Sequence, residues 1–309
     1  MLIYNHWSEM NNKYAKLVVG MGNFDGVHLG HQKLIEEVKA LAAEIGGTPA
    51  LITFKPHPMA IIKPDQCPPL LLSQKHKQEL IAATQIEVLL QLTFDHEFAK
   101  IPPEEFVENI LCEGLGAKGV VVGFNFTFGR FGRGTPELLE SMAEKCGYKL
   151  VIVPPVKVGR EAVSSTLIRE KLSAGEVAKA AEYLGYYPFA EGQVVPGDKR
   201  GAGLGYPTAN IGIGDNALIP ANGVYSVIAE LSGKSYPGLA NVGYKPTFDG
   251  GDRIIETHLL DFERDLYGQE IKIRFVDRLR EEKKFSSSEE LVKQIEKDIA
   301  LARSSIVVL

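Results

Sequence analysis

The strongest constraint on what this chain can fold into is a change of grammar along it. Up to about residue 184, short β-rich apolar runs alternate with helical stretches. They begin with "KLVVGMGNF", a helix from about Leu29 to Ile45, "PALITFK", a helix from about Ser73 to Thr84, and "VLLQLTF". They continue with a helix over "PEEFVENILCEGL", the strand "KGVVVGF", a helix over "TPELLESMAEKCG" and the strand "KLVIVPPV". That rhythm predicts a doubly wound, Rossmann-like α/β domain, with helices on both faces of a parallel sheet. "STLIREKLSAGEVAKAAEYL" then reads as two helical segments broken at Gly175. From Glu191 onward the helices stop. "GQVVPG", "YPTANIGI", "GVYSVIAELSG", "KSYPGLANVG", "RIIETHLLDF" and "QEIKIRFVDRLR" are β-branched runs punctuated by Gly, Pro, Asn or Asp, which predicts an antiparallel β-barrel. The boundary falls at "YYPFA", giving domains 1–186 and 187–309. "SSSEELVKQIEKDIALARSS" opens on capping serines, carries Glu289 and Glu290 in its first turn, and repeats Leu291, Ile295 and Ile299 at four-residue spacing. It is expected to be a C-terminal helix packed on the barrel.

A net charge of −5 gives no bulk reason to expect a nucleic-acid or membrane-surface binder, so any anion must be held locally. Cys67, Cys112 and Cys146 are odd in number, widely spaced and without a CxxC pattern. They read as packing residues in a reducing compartment rather than as a disulfide framework or a zinc site. The opening "MLIYNHWSEMNNKYAK" lacks a basic n-region and an apolar h-region, and no apolar stretch approaches a membrane span, so the expected location is cytoplasmic. No obligate protein partner is evident.

The stretch "GNFDGVHLGHQKL" lies where a strand gives way to a helix. In open α/β sheets, ligands sit at the carboxyl ends of strands, where helix N-termini offer unpaired N–H groups to anions. Gly22, Gly26 and Gly30 let the backbone turn and approach a ligand, and His28 and His31, three apart, can face one side near the positive end of the helix. The histidines can equally be surface residues beside a turn, or two ligands of a zinc site with no third and fourth in view.

The fuller pattern resembles the GxFDGxHxGH signature of the nucleotidyltransferase superfamily that includes bacterial FAD synthetases. "FKPHP", "VVGFNFTFG" and "SSTLIRE" resemble further segments of that family in order, and "GDKRGAGLGYPTANI", "GVYSV", "LANVGYKPTF", "ETHLLDF" and "LYGQEIKIRF" resemble flavokinases. The resemblance covers nearly the whole chain and is to the prokaryotic bifunctional riboflavin kinase/FMN adenylyltransferase family. It implies a nucleotidyltransferase domain followed by a riboflavin kinase barrel. It also implies two reactions, riboflavin plus ATP to FMN and then FMN plus ATP to FAD and pyrophosphate, with Mg²⁺ as cofactor.

For the first domain the resemblance implies that His28 and His31 contact the α- and departing phosphates of ATP and that Asn23 helps to position them. Ser164, Ser165 and Thr166 can simply cap the helix that follows them. With Arg169 one turn on, they also match the family's β,γ-phosphate cradle. Asn125 follows a strand at its carboxyl end, where many relatives carry Asp. His57 is confined between two prolines that favour extended backbone before them, which suits either a binding residue or a turn. Lys55 reads as a phosphate contact or a solvated lysine, and Phe124, Phe126 and Phe128 read as core rather than as flavin-stacking rings.

In the second domain Thr208 and Asn210 are two apart on a strand and share a face, and their oxygens suit Mg²⁺. The glycine-rich "GDKRGAGLGYP" lacks the GK[ST] ending of a P-loop and reads as a phosphate-covering loop, with Lys199 and Arg200 available to ATP. It departs from many relatives at Pro196, where they carry His, and at Ala202, where they carry a basic residue. Glu256 and His258 alternate with Ile255, Thr257 and Leu259. On spacing alone Glu256 is a half-exposed strand carboxylate, and by resemblance it is the base for the riboflavin 5′-hydroxyl. Two other readings remain: a single retained activity, or a flavin-sensing regulator without turnover.

Overall fold

The structure, a computed structural model, describes residues 1–11, 13–196, 202–213, 218–244, 253–262 and 264–306. The chain divides into two compact units, Met1–Ser164 and Ser165–Leu309.

The first unit runs β1 (Leu2–Tyr4), β2 (Leu17–Met21), α1 (Leu29–Ile45), β3 (Thr48–Lys55), α2 (Pro58–Ile62), α3 (Gln74–Ala83) and β4 (Val88–Thr93). It continues through α4 (Pro103–Glu105), which runs on as a wide-turn π segment Phe106–Gly114, then β5 (Ala117–Gly123), α5 (Pro136–Cys146), β6 (Lys149–Val153) and the short pair β7 (Lys157–Val158) and β8 (Glu161–Ala162). Six strands form one sheet in the order β1-β4-β3-β2-β5-β6, every neighbouring pair parallel. β2 and β3 lie at the centre, β2 buried along its whole length and β3 from Ala50 to Phe54, as strands covered on both faces require. At Gly20 a Cβ would come within 2.6 Å of Val38 and 2.8 Å of Leu34, so α1 rides directly on β2 because that position has no side chain. All the loops that leave the strands' carboxyl ends therefore collect on one edge of the sheet.

Two expectations need correcting. "PEEFVENILCEGL" is helical, but for most of its length in the wider π geometry. Cys112 and Cys146, read as separate packing residues, are joined by a disulfide, with Cα atoms 5.6 Å apart, and Cys67 is free. The π segment and α5 pack side by side, so residues 34 apart in sequence meet; spacing alone carried no sign of it.

In the second unit α6 (Ser165–Ala174) and α7 (Val177–Leu184) are separated at Gly175, in the left-handed region at φ 80°, as the sequence predicts. Val177, Ala180, Tyr183 and Leu184 form the buried face of α7, and α7 packs on the last strand, Glu270–Arg280. The strands are β9 (Phe189–Val195), β10 (Ala209–Ile213), β11 (Gly223–Leu231), β12 (Lys234–Tyr244), β13 (Arg253–Leu259) and β14 (Glu270–Arg280), and α8 (Ser288–Ser305) follows them. They close into a barrel in the order β10-β13-β12-β11-β14-β9, antiparallel throughout. Inward residues such as Ile255, Thr257, Tyr225, Val227 and Phe275 are fully buried and fill it.

Ser287 caps α8, its hydroxyl accepting the N–H of Glu290 at 3.3 Å, and the helix packs against β11, β12 and β14. Its most buried positions are Asp298 and Ala302, with Ile306 just beyond the helix end, and Leu291, Ile295 and Ile299 flank them half-buried. Asp298 is 2% exposed and takes a two-pronged hydrogen bond from the Arg280 guanidinium, at 2.9 Å from Nε and 2.8 Å from Nη2. Gln294 donates to its other oxygen at 2.9 Å. Removing one partner of a buried ion pair strands the other charge and costs about 3 kcal/mol. Asp298→Ala should therefore lower the thermal midpoint of the barrel unit by several degrees, and an unchanged midpoint would mean the latch contributes nothing.

Candidate active sites

The turn between β2 and α1 is tight and strained. Phe24, Gly26 and Val27 all take positive φ, at 50°, 87° and 37°. For a bulky aromatic and a β-branched residue such values cost on the order of 1–3 kcal/mol each, and they persist only where the surroundings enforce them. Here Phe24 and Val27 are buried at 0% and 2% exposure, and the Thr53 hydroxyl on β3 donates to the Asn23 carbonyl at 3.1 Å. The Gln32 amide on α1 donates to the Val27 carbonyl at 2.9 Å.

His28 is the N-cap of α1. Its Nδ1 accepts the His31 N–H at 3.3 Å, which fixes the neutral ring as the tautomer with the proton on Nε2. The His31 ring stacks on it at 3.7 Å between centroids and 14° between planes, and the Phe24 ring lies tilted beside His31 at 5.2 Å. Burial, then the neighbouring His28 and Lys77, push the His31 pKa well below its usual 6.5, so this ring is neutral at neutral pH. His31 Nδ1 is buried without a hydrogen-bond partner among the described residues. The two histidines that the sequence set three apart are thus a stacked pair at the positive head of a helix, on the carboxyl edge of the sheet. At Gly30 a Cβ would lie 3.1 Å from the His28 ring and 3.9 Å from the Val163 carbonyl, so the strand-end segment leading to Ser164 runs past the same turn.

The other expected residues fall as follows. The Asn23 side chain is exposed at the turn. His57 caps α2, its Nδ1 accepting the Met59 N–H at 3.3 Å, with extended backbone at φ −59° and ψ 133°. Asn125 is exposed just past β5. Of the three phenylalanines, Phe128 is core and Phe126 packs against it, whereas Phe124 is 49% exposed. Ser164 closes the first unit, and Ser165, Thr166 and Arg169 stand in the first turns of α6 in the second.

Two residues of this site were missed. Asp25 is 5% exposed and accepts the Leu71 N–H at 3.0 Å, and Lys77 of α3 sends its ammonium to the Asn23 carbonyl at 3.3 Å and the Thr53 hydroxyl at 3.2 Å. A signal for Lys77 was present: it shares the inward face of α3 with Ile81, four residues on, where an apolar residue is the default.

On the barrel, β13 alternates cleanly. Ile255, Thr257 and Leu259 point inward, and Glu256 and His258 point outward. Asn210 of β10 is directly opposite Glu256, which is directly opposite Asn241 of β12, so the three side chains share one row on one face. Thr208 stands just before β10, two residues ahead of Asn210. The His258 ring donates from Nδ1 to the Pro207 carbonyl at 2.8 Å and packs edge-on against Tyr206, which pins the entry to the Thr208–Asn210 segment. A cavity of about 150 Å³ lies beside Thr208, lined also by Pro207, Thr257, Leu259, Phe262, Arg264 and Tyr267. Lys199 and Arg200 lie outside the described residues. Among the described residues, no group of three or more His, Cys, Asp or Glu is placed to hold a metal ion, so a metal here would rest on hydroxyl, amide and substrate oxygens. No helix among them is long and apolar enough to cross a membrane.

Comparison with known proteins assigns each half. The FAD synthetase family model matches residues 10–167, and the riboflavin kinase model matches residues 184–306. The chain is 40% identical to the bifunctional riboflavin kinase/FMN adenylyltransferase of Bacillus subtilis, across 94% of this chain and 92% of that one. It is 34% identical to the Escherichia coli K12 protein of the same name, across 93% and 91%. A solved structure titled as a macrolide-efflux protein from Streptococcus pneumoniae shares the fold at a TM-score of 0.89 and 31% identity, over 98% of both chains. With both halves matched, and in that order, the chain belongs to the bifunctional riboflavin kinase/FMN adenylyltransferase family.

Proposed function

We propose that the chain makes FMN from riboflavin and ATP and FAD from FMN and a second ATP, with residues 1–186 responsible for adenylyl transfer and 187–309 for the kinase step. The observation that carries this reading is the stacked histidine pair at the head of α1, joined in one chain to the outward Asn210–Glu256–Asn241 row.

In the adenylyl step the FMN phosphate attacks the α-phosphorus of ATP in line and pyrophosphate leaves. No covalent enzyme intermediate is needed, so the protein's task is to position two anions and stabilise the charge that develops between them. The Nε2–H of His28 suits an α-phosphate oxygen, because its Nδ1 is committed to the cap. A neutral His31 keeps one ring N–H that can donate beside it. The N–H groups of α1 add their dipole, and Asn23, His57 and Asn125 belong to the nucleotide's surroundings. Ser164, Ser165, Thr166 and Arg169 suit the β- and γ-phosphates.

In the kinase step Glu256 takes the proton of the riboflavin 5′-hydroxyl as it attacks the γ-phosphorus of ATP, and the neighbouring amides of Asn210 and Asn241 orient the carboxylate and the phosphate. The Thr208 hydroxyl and Asn210 amide oxygen are hard donors on one face, the kind Mg²⁺ accepts while leaving positions for phosphate oxygens. Bound there, Mg²⁺ would offset the negative charge of the ATP phosphates. Lys199 and Arg200 are suited to the same phosphates. We place both reactions in the cytoplasm, where ATP is available, with no requirement for nucleic acid, membrane or a protein partner.

A chromatographic time course tests the whole reading. Riboflavin with Mg²⁺-ATP should give FMN and then FAD, whereas absence of turnover from either flavin would leave only flavin binding. Glu256→Gln should slow riboflavin phosphorylation by about 100-fold or more and leave FAD formation from supplied FMN intact. Replacing His28 and His31 together with Ala should do the reverse, slowing FMN adenylylation by about 100-fold or more with the kinase rate unchanged. Thr208→Ala with Asn210→Ala should raise the Mg²⁺ concentration needed for half-maximal kinase rate, and an unaltered Mg²⁺ dependence would remove these residues from the metal.

A further inference from the structure

Lys77 is a buried ionisable group that neither reaction has yet used. It is 9% exposed on the inward face of α3, directly behind the histidine turn. Its ammonium reaches only neutral oxygens, the Asn23 carbonyl at 3.3 Å and the Thr53 hydroxyl at 3.2 Å, which leaves a third N–H without a hydrogen-bond partner among the described residues. Lys77 is not the sole anchor of that carbonyl, because the Thr53 hydroxyl also ties it to β3 at 3.1 Å. Nor does Asp25 depend on Lys77 for a hydrogen bond, since its carboxylate accepts the Leu71 N–H. A charge buried at such cost, where a methionine would keep the same packing, is placed for something other than stability.

We propose that Lys77 is a positioning residue for adenylyl transfer, whose ammonium supplies fixed positive charge from beneath the turn that carries Asn23, His28 and His31 to the nucleotide phosphates. This rests on reading that turn as the adenylyl-transfer site. The charge acts through two routes. It polarises the Asn23 peptide from behind, so that the backbone facing the ligand is held in place. It also repels a proton from His31, keeping that ring an uncharged donor with a fixed geometry. The phosphates arrive with several negative charges, and a cation already in place beneath their site need not reorganise when charge shifts toward pyrophosphate.

The titratable groups that bear on Lys77 are Asp25 on the turn and His31 at the head of α1, itself stacked on His28; from β3 it meets only the neutral Thr53 hydroxyl among the described residues. Burial lowers the Lys77 pKa from 10.5 to about 8, with Asp25 opposing the shift. The folded chain therefore gives up this proton more readily than the unfolded chain does. The cost of the buried charge is fully present below about pH 8 and is relieved as the pH rises toward 10.5. Function runs the other way, since the charged form is the active one and is lost on that same rise.

The experiment is FMN adenylylation by the full chain, with kcat/KM for Mg²⁺-ATP measured at saturating FMN from pH 6.5 to 9.5 and thermal midpoints recorded alongside. Wild type should lose activity as the pH rises through about 8. Lys77→Met should lower kcat/KM at pH 7 by about tenfold or more, show no such alkaline decline in its remaining activity, and keep the wild-type thermal midpoint or exceed it. Lys77→Arg, which holds its charge across the range, should recover part of the activity and also lack the decline. Riboflavin phosphorylation should be unchanged in both. Full activity in Lys77→Met overturns the proposal. So does a loss that comes with a fallen midpoint while the alkaline decline persists, which would make Lys77 structural. Should wild type form no FAD from FMN at any pH, the adenylyl-transfer reading itself fails, an outcome distinct from failure of Lys77 alone.

Discussion

The first unit depends on one backbone carbonyl. Asn23 ends the central strand's path and begins a turn whose next residues, Phe24 and Val27, sit in conformations that neither side chain favours. A free peptide would relax out of that shape. It is kept because the Asn23 carbonyl receives hydrogen bonds from both Thr53 and Lys77, because Asp25 receives the Leu71 N–H, and because the strained side chains are packed in the core. Strands and a helix on three sides therefore fix the point from which α1 departs, and with it the direction of both histidine rings. Strain of this kind signals that the exposed side of the turn has a geometry to keep.

The barrel reaches a comparable arrangement by a different route. Among the described residues its polar row is built from strands. Register between three adjacent strands sets Asn210, Glu256 and Asn241 side by side, and the two-residue period of the strands keeps them apart from the packed interior. Precision then comes from the closed hydrogen-bond ladder, because slipping any strand by one residue would turn its polar groups inward. The Arg280–Asp298 latch adds a polar contact that fixes α8 over strands on the outside of the same barrel.

Much of this was legible in the sequence because it rests on period and punctuation. The alternation of strand and helix fixed the parallel sheet, the loss of helices after Glu191 fixed the barrel, and the turn glycines placed His28 and His31 at a strand end. What escaped depends on contacts between distant residues. The three-residue spacing let the histidines share a side, but their stacking follows from the cap that turns His28 back over the helix head. Lys77 looks like one more surface lysine in "SQKHKQEL" until α3 is seen to lie behind the turn. Cys112 and Cys146 meet only because the π segment and α5 are neighbours. Asn241 carried no motif, and strand register alone gives it a place beside Glu256.

The outward direction of the polar row separates two kinds of selection acting on the same strands. Inside the barrel, Ile255, Val227, Ile273 and Phe275 need only fill space together, and exchanges that conserve their total volume are tolerated. On the outer face, the proposed kinase reaction would tie each position of the row to a particular chemical group. A lineage can therefore redraw the barrel's interior over time while its outer row stays still, and alternate residues of one strand should drift at different speeds. For a protein engineer the same separation makes the interior the place to raise stability, because a change there is one layer removed from the row.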